Sequence, residues 1–236
     1  MRTFYHGLGL IAAFCLTFVI LISSVEAVVY LKPDHFEKEY RKYRVTKQVK
    51  MQMDDLLEVT DEMMAYLKGD REDLVIETVV NGEEREFFNE KEKRHMVDVQ
   101  NLFLGAIKLR EGAALITLLC GAYLLLKEEG LVLCRMLQWG IGLFIGSMVA
   151  LAALISTDFT KYFTTFHHIF FDNDDWLLNP KTDLLINIVP EGFFRDTAYA
   201  IAFLLLGVCL FIWLYVLRSS RCRYYWSSKS RISRQA

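Results

Sequence analysis

The chain has 236 residues, 53% hydrophobic yet 24% charged, with a net charge of −2. That mixture suits a membrane protein with a sizeable soluble part, and it excludes nucleic acid as a partner because no basic domain is present to neutralise phosphates. All five cysteines (Cys15, Cys120, Cys134, Cys209, Cys222) fall in apolar segments or the C-terminal tail, so disulfides and thiolate zinc sites are excluded from the polar stretches between.

Residues 1–31 read as a first transmembrane helix, apolar from Gly7 to Leu31 and interrupted only by Ser23, Ser24 and Glu26. Val25-Glu26-Ala27 loosely resembles a signal-peptide cleavage site, but the apolar run continues through Val28, Val29 and Leu31, which favours a retained helix. Residues 32–101 form a polar domain. Within it, Leu56, Val59, Met63 and Leu67 share one face of a helix over 54–68, and Gly69 is its expected stop. LVIETVV and EEREFF flank Asn81-Gly82, the strongest short signal for a β-hairpin. Asn89 followed by Glu92 has the spacing of a helix N-cap, and from Glu90 the chain can stay helical through Leu126.

The second membrane helix is expected over 102–126, because the uncharged run from Gly112 to Leu126 is too short for the ~20 residues a span needs. The third covers 131–156 and the fourth 197–217. The tail 218–236 carries Arg218, Arg221, Arg223, Lys229, Arg231 and Arg234 and no acid, which places it in the cytoplasm. Residues 32–101 hold 13 basic and 18 acidic side chains, a net of −5, and residues 157–196 hold 3 and 7, a net of −4. Both long segments then lie outside, joined by four spans. The expected fold is a mainly α membrane protein: a four-transmembrane-helix bundle with a small extracellular α+β domain containing a β-hairpin.

The second outer segment, 157–196, is not a plain connecting loop. It combines many phenylalanines, Trp176, the adjacent His167 and His168, and several carboxylates. Apolar anchors beside ionisable groups suit a site at the lipid–water boundary, although an aromatic belt with solvated acids has the same composition. Phe159, Phe163, Phe166 and Phe170 recur at helical spacing, as though the third span ran on toward His167. In the other outer segment, His95 and Asp98 sit one turn apart, so the carboxylate can orient the imidazole. Two histidines from two helices, each about 15 Å beyond the end of a span, can act as a general acid and base.

HMVDV at 95–99, FHHIFF at 166–171, NDDW at 173–176, PKTDLLI at 180–186 and PEGFF at 190–194 occur in the order of one known family. With YLKGDREDL at 66–74 and the four spans, the chain resembles the lipoprotein intramolecular transacylases, four-span bacterial membrane enzymes. The family pattern Phe-His-any-Ile-Phe-Phe selects His167 over His168. The resemblance implies a diacylated lipoprotein as substrate and transfer of its sn-2 acyl chain to the α-amine of its N-terminal cysteine, leaving an N-acyl lyso form. It implies a multi-pass plasma-membrane protein whose site faces outward, catalysis by His95 and His167, and no nucleotide, metal or other cofactor.

Asp98, Asn173, Asp174 and Asp183 are then candidates for orienting the histidines or the substrate. Phe166, Phe170, Trp176, Lys108 and Arg110 are candidates for lipid contact, with snorkelling as the plain alternative for the two cations. Two other readings stay open on the residues alone. One is a metal-dependent membrane hydrolase using His95, Asp98, His167 and Asp172. The other is a non-catalytic membrane assembly protein whose Phe-rich segment docks a partner.

Overall fold

The computed structural model describes residues 1–32 and 34–232, with side chains as far as Ser219. The expected cationic side chains beyond Arg218 lie outside the described side chains. Helix α1 (Arg2–Glu26) continues as a π-helical turn over Ala27–Leu31. Then come α2 (His35–Tyr43), α3 (Val45–Val49), α4 (Met53–Lys68), β1 (Glu77–Val80), β2 (Glu83–Glu86) and α5 (Glu90–Leu126). The chain closes with α6 (Gly130–Thr157), α7 (Phe159–Phe170), α8 (Leu185–Ile188) and α9 (Glu191–Ile232). The fold is therefore mainly helical, with one small antiparallel hairpin among the described residues, as the sequence leads one to expect.

Two compact units share the chain. One comprises Met1–Ser24, Lys108–Leu154 and the chain from Ala202; the other comprises Val25–Ile107 and Ile155–Ile201. Among the described residues, four helices are long and apolar enough to cross a membrane: Arg2–Leu31, Glu90–Leu126, Gly130–Thr157 and Glu191–Ser219. At 37 residues, α5 is about 55 Å long, well beyond the ~30 Å of a hydrocarbon core. Its first turns carry Glu90, Lys91, Glu92, Lys93, Arg94 and Asp98, so the apolar C-terminal part alone suits the bilayer.

In the first unit, Ile20, Ile141, Leu205 and Cys209 form a buried cluster, flanked by Leu137, Phe144 and Trp213. Close packing depends on a missing side chain: a Cβ at Gly140 would fall 2.5 Å from the Cβ of Ala13. Small residues of this kind let membrane helices approach. Phe14, Leu143, Phe203 and Phe211 are largely exposed and apolar, as lipid-facing positions are.

The second unit has its own core, with Tyr40, Leu56, Phe87, Phe88 and Ile188 almost fully buried. Leu56, Val59, Met63 and Leu67 of α4 point into it, and the Tyr40 hydroxyl meets Thr60 Oγ1 at 2.7 Å. The hairpin pairs Glu77 with Glu86 and Val80 with Glu83. Asn81 (φ 56°) and Gly82 (φ 83°) both take the left-handed conformation that a two-residue I′ turn demands.

The third span does not run on into the aromatic stripe. Helix α6 ends at Thr157; Asp158 breaks it and starts α7 as an N-cap, its carboxylate accepting from the Lys161 amide at 3.1 Å. At the fourth span, helix α9 begins at Glu191, earlier than the apolar run suggests.

Candidate active site

The site is assembled from two elements of the second unit, the first turns of α5 and the whole of α7 with the loop that follows. The start of α5 is fixed by a reciprocal cap. Asn89 Oδ1 accepts from the amides of Lys91 (2.9 Å) and Glu92 (3.0 Å), while Glu92 Oε2 accepts from the Asn89 amide at 2.8 Å. Glu92, only 1% exposed, sends its other oxygen to the Leu185 amide at 2.6 Å. Burial pushes its carboxyl pKa up against these donors. One turn on stands His95.

His95 (7% exposed) and His167 (8%) face each other with ring centroids 6.1 Å apart. Burial, then the neighbouring His167, draws the His95 pKa down to about 4, against a weaker upward pull from Asp98 and Asp175. His95 Nδ1 is buried without a hydrogen-bond partner among the described residues. Burial also lowers the His167 pKa. His167 Nδ1 lies 2.7 Å from the carbonyl oxygen of Phe163, which can only accept. The ring is thereby held as the Nδ1–H tautomer, with its lone pair on Nε2. Both imidazoles are therefore neutral near pH 7.

Aromatic rings enclose the pair. Phe163 meets His167 at 4.4 Å, Phe171 meets His95 at 5.2 Å and His167 at 5.5 Å, and Trp176 stacks on His167 at 4.8 Å with 30° between planes. Trp176 turns its edge to His168, 5.0 Å away and exposed. Phe166 also contacts His167, at 5.6 Å, and packs on Phe170 at 4.7 Å. The stripe on α7 thus divides: Phe163 turns inward, while Phe166 and Phe170 are 42% and 51% exposed.

The other sequence candidates distribute differently. Asp98 has a charge effect on His95, yet its hydrogen bond is with Asn173, whose side-chain amide donates to Asp98 Oδ2 at 2.8 Å. Asp183 is a loop anchor: it accepts from Asn89 Nδ2 (3.0 Å), the Asn179 amide (2.7 Å) and the Thr182 hydroxyl (2.9 Å). Burial opposes its ionisation, but these donors hold its pKa below the ordinary carboxylate value. Asp174 is exposed and contributes its backbone carbonyl to Leu177. Lys108 and Arg110 belong to the other unit. Among the described residues, no group of three or more His, Cys, Asp or Glu side chains is set to hold a metal ion.

Sequence reasoning passed over Phe171, Phe163 as the carbonyl that fixes His167, and the pair Arg94–Asp175. Arg94 Nε and Nη2 donate to the two carboxylate oxygens of Asp175, each at 2.9 Å. One signal was available: Lys91, Arg94, His95 and Asp98 occupy i, i+3, i+4 and i+7, a single polar face of α5.

Comparison with known proteins gives the family and the fold. A family model described as lipoprotein intramolecular transacylase Lit matches residues 10–194. A solved structure of the membrane integral lipoprotein intramolecular transacylase Lit from Bacillus cereus shares the fold, with a TM-score of 0.79 at 24% identity over 94% of this chain and 100% of that one. Two structures of the same protein, with a histidine replaced by arginine or by alanine, give TM-scores of 0.73 at 24% identity. They cover 94% of this chain and 96% and 97% of theirs. No curated protein matches the chain by sequence. With the family model covering most of its length, this membrane protein belongs to the lipoprotein intramolecular transacylases, a family of acyltransferases.

Proposed function

We propose that the chain moves the sn-2 acyl chain of a diacylglyceryl lipoprotein to the α-amine of that lipoprotein's N-terminal cysteine, with His95 and His167 as the working pair. The observation that carries this reading is the facing of two buried, neutral histidines 6.1 Å apart. The cysteine nitrogen attacks the ester carbonyl carbon. A C–N bond forms, the C–O bond to glycerol breaks, and the proton lost by nitrogen ends on the glycerol oxygen. Substrate and product are isomers, so no further reactant is consumed.

An α-amine has a pKa near 8, so roughly a tenth is neutral at pH 7 and able to attack. His167 presents Nε2 as acceptor, takes the proton from nitrogen as the tetrahedral intermediate forms, and passes it to the departing glycerol oxygen. His95, neutral, donates an N–H hydrogen bond to the developing oxyanion. Because both reacting groups arrive joined, the protein has only to fold one headgroup between the rings.

The same proposal places the spans at 1–31, 102–126, 131–156 and 197–217 in the cell membrane. The anionic segments 32–101 and 157–196 are then outside and the cationic tail 218–236 inside. Mass spectrometry of lipoprotein N-termini, from cells with and without the protein, tests the activity. N-acyl lyso species are expected only with it; an acyl pattern that does not change overturns the reading.

A further inference from the structure

We propose that residues 173–177 form a strap that sets the position of His167 through Trp176, and that Arg94 and Asp175 are positioning residues for the histidine pair. The inference rests on the reading of His95 and His167 as the working pair. Its basis is a set of contacts running in order along one face of α5. Lys91 Nζ donates to the Leu177 carbonyl at 2.5 Å, Arg94 grips Asp175 with two hydrogen bonds of 2.9 Å, and Asp98 accepts from Asn173 at 2.8 Å.

As α5 advances from 91 to 94 to 98, the partners retreat from 177 to 175 to 173. The strap therefore lies antiparallel along the helix, attached about once per turn. The helix segment 91–98 rises about 10 Å, and the strap crosses it as a turn over 174–177 rather than as extended chain. Asn173 Oδ1 accepts from the Asp175 amide at 3.0 Å and the Asp174 carbonyl accepts from Leu177 at 3.1 Å, which stiffens it from within.

Trp176 sits between the Asp175 and Leu177 attachments. Its indole is stacked on His167 at 4.8 Å and meets His168 edge-on at 5.0 Å. On the same face of α5, between the Arg94 and Asp98 attachments, stands His95. Each imidazole is thus referred to the other through the strap: His95 by its place on α5, His167 by the indole that α5 holds over it. The Arg94 side chain is 60% exposed, and exposed ion pairs contribute little to stability. A two-pronged guanidinium grip has instead a geometric value that a lysine cannot reproduce.

The test uses the full-length protein in detergent or vesicles, with variants Arg94→Ala, Arg94→Lys, Asp175→Ala and the exchanged pair Arg94→Asp/Asp175→Arg. Rates come from conversion of a synthetic diacylated lipopeptide, with His95→Ala and His167→Ala as controls. Single alanine variants are expected to lose kcat by about 10- to 100-fold, the scale of a misplacement of up to about 1 Å. KM and melting temperature should stay close to wild type, Arg94→Lys should fall between, and the exchanged pair should recover most of the loss.

A second readout needs no turnover. In a background where Trp139, Trp213 and Trp226 are phenylalanine and His168, also 5.0 Å from the indole, is alanine, Trp176 emission reports its stacking on His167, because a protonated imidazole quenches indole. Arg94→Ala is expected to weaken the acid-dependent quenching seen with the intact strap. Full activity in both single alanine variants overturns the proposal, as does failure of the exchanged pair to exceed them in kcat and in quenching. If His95→Ala and His167→Ala remain active, the catalytic reading fails instead, and the quenching measurement alone decides whether the strap seats Trp176.

Discussion

His167 donates its Nδ1–H to the carbonyl of Phe163, 2.7 Å away and one turn earlier in α7. The bond uses the helix's own backbone, so the tautomer is set wherever α7 is formed. His168, one residue on, is turned about 100° around the helix and lies exposed. His95→Ala and His167→Ala should each abolish transfer in folded protein, whereas His168→Ala should retain most of it. Lipopeptide turnover by the three purified variants checks this, and equal inactivation of all three contradicts it.

The His95 pKa of about 4 makes a prediction about stability against pH. An unfolded histidine titrates near 6.5. Between 6.5 and about 4 the unfolded chain binds a proton that the folded chain refuses, so stability is lost as pH falls through this window and is flat above it. His35 and His167, both lowered chiefly by burial, act in the same direction. His95→Gln should therefore lose less melting temperature between pH 7 and pH 4.5 than wild type. Parallel curves for the two proteins would count against a neutral His95.

Glu92 is buried, and each of its oxygens serves a backbone amide, of Leu185 and of Asn89. Glu92→Gln keeps the shape but turns an NH₂ toward one of those donors. A loss of about 2–3 kcal/mol is expected, the scale of a charged hydrogen bond exchanged for an unsatisfied buried group. Thermal unfolding in detergent measures it; an unchanged midpoint would remove Glu92 from the structural account.

Phe163 and Phe166 should part company. Phe163 is packed against His167 and Phe194, so Phe163→Ala should cost about 3 kcal/mol. Phe166→Ala and Phe170→Ala, at exposed positions, should cost under about 1 kcal/mol. If they contact the acyl chains, they should also shift acyl-length preference. Melting temperature and acyl-length profile on the same samples separate the two classes. Loss of stability with an unchanged profile at Phe166 would assign it to packing.

The proposed topology predicts that a membrane-impermeant thiol reagent labels Glu83→Cys, in the hairpin, on intact cells and fails to label Ser230→Cys. Glu83 is used because the φ of 83° at Gly82 does not suit a side chain. The reverse pattern would invert the protein in the membrane.

Local chemistry made several elements readable in advance. Asn81-Gly82 required its hairpin, Asn89 with Glu92 marked the start of α5, and the periodic apolar residues of 54–68 gave α4. Helices α2 and α3 were not readable. They are bounded by Asp34, Arg44 and Lys50 at φ of 53–54°, where no glycine announces the turn. Asp98 was read as the partner of His95 from spacing, but spacing fixes only the face. Which group arrives there depends on the path of 172–179, and that path is decided by contacts distant in sequence. The same holds for Arg94, whose partner is 81 positions away.

The cap of α5 has a consequence for biosynthesis. Asn89 and Glu92 do not complete their bonds within the helix they begin, because Asp183 and Leu185 supply the remaining partners. A ribosome that has just finished α6 has therefore produced most of the second unit with a carboxylate site still lacking a donor. The domain can close only after the next stretch of chain has been threaded to the same side of the membrane. The folding of a segment made early thus waits on one made after α6, and a chain cut short between them leaves the start of α5 without two of its partners.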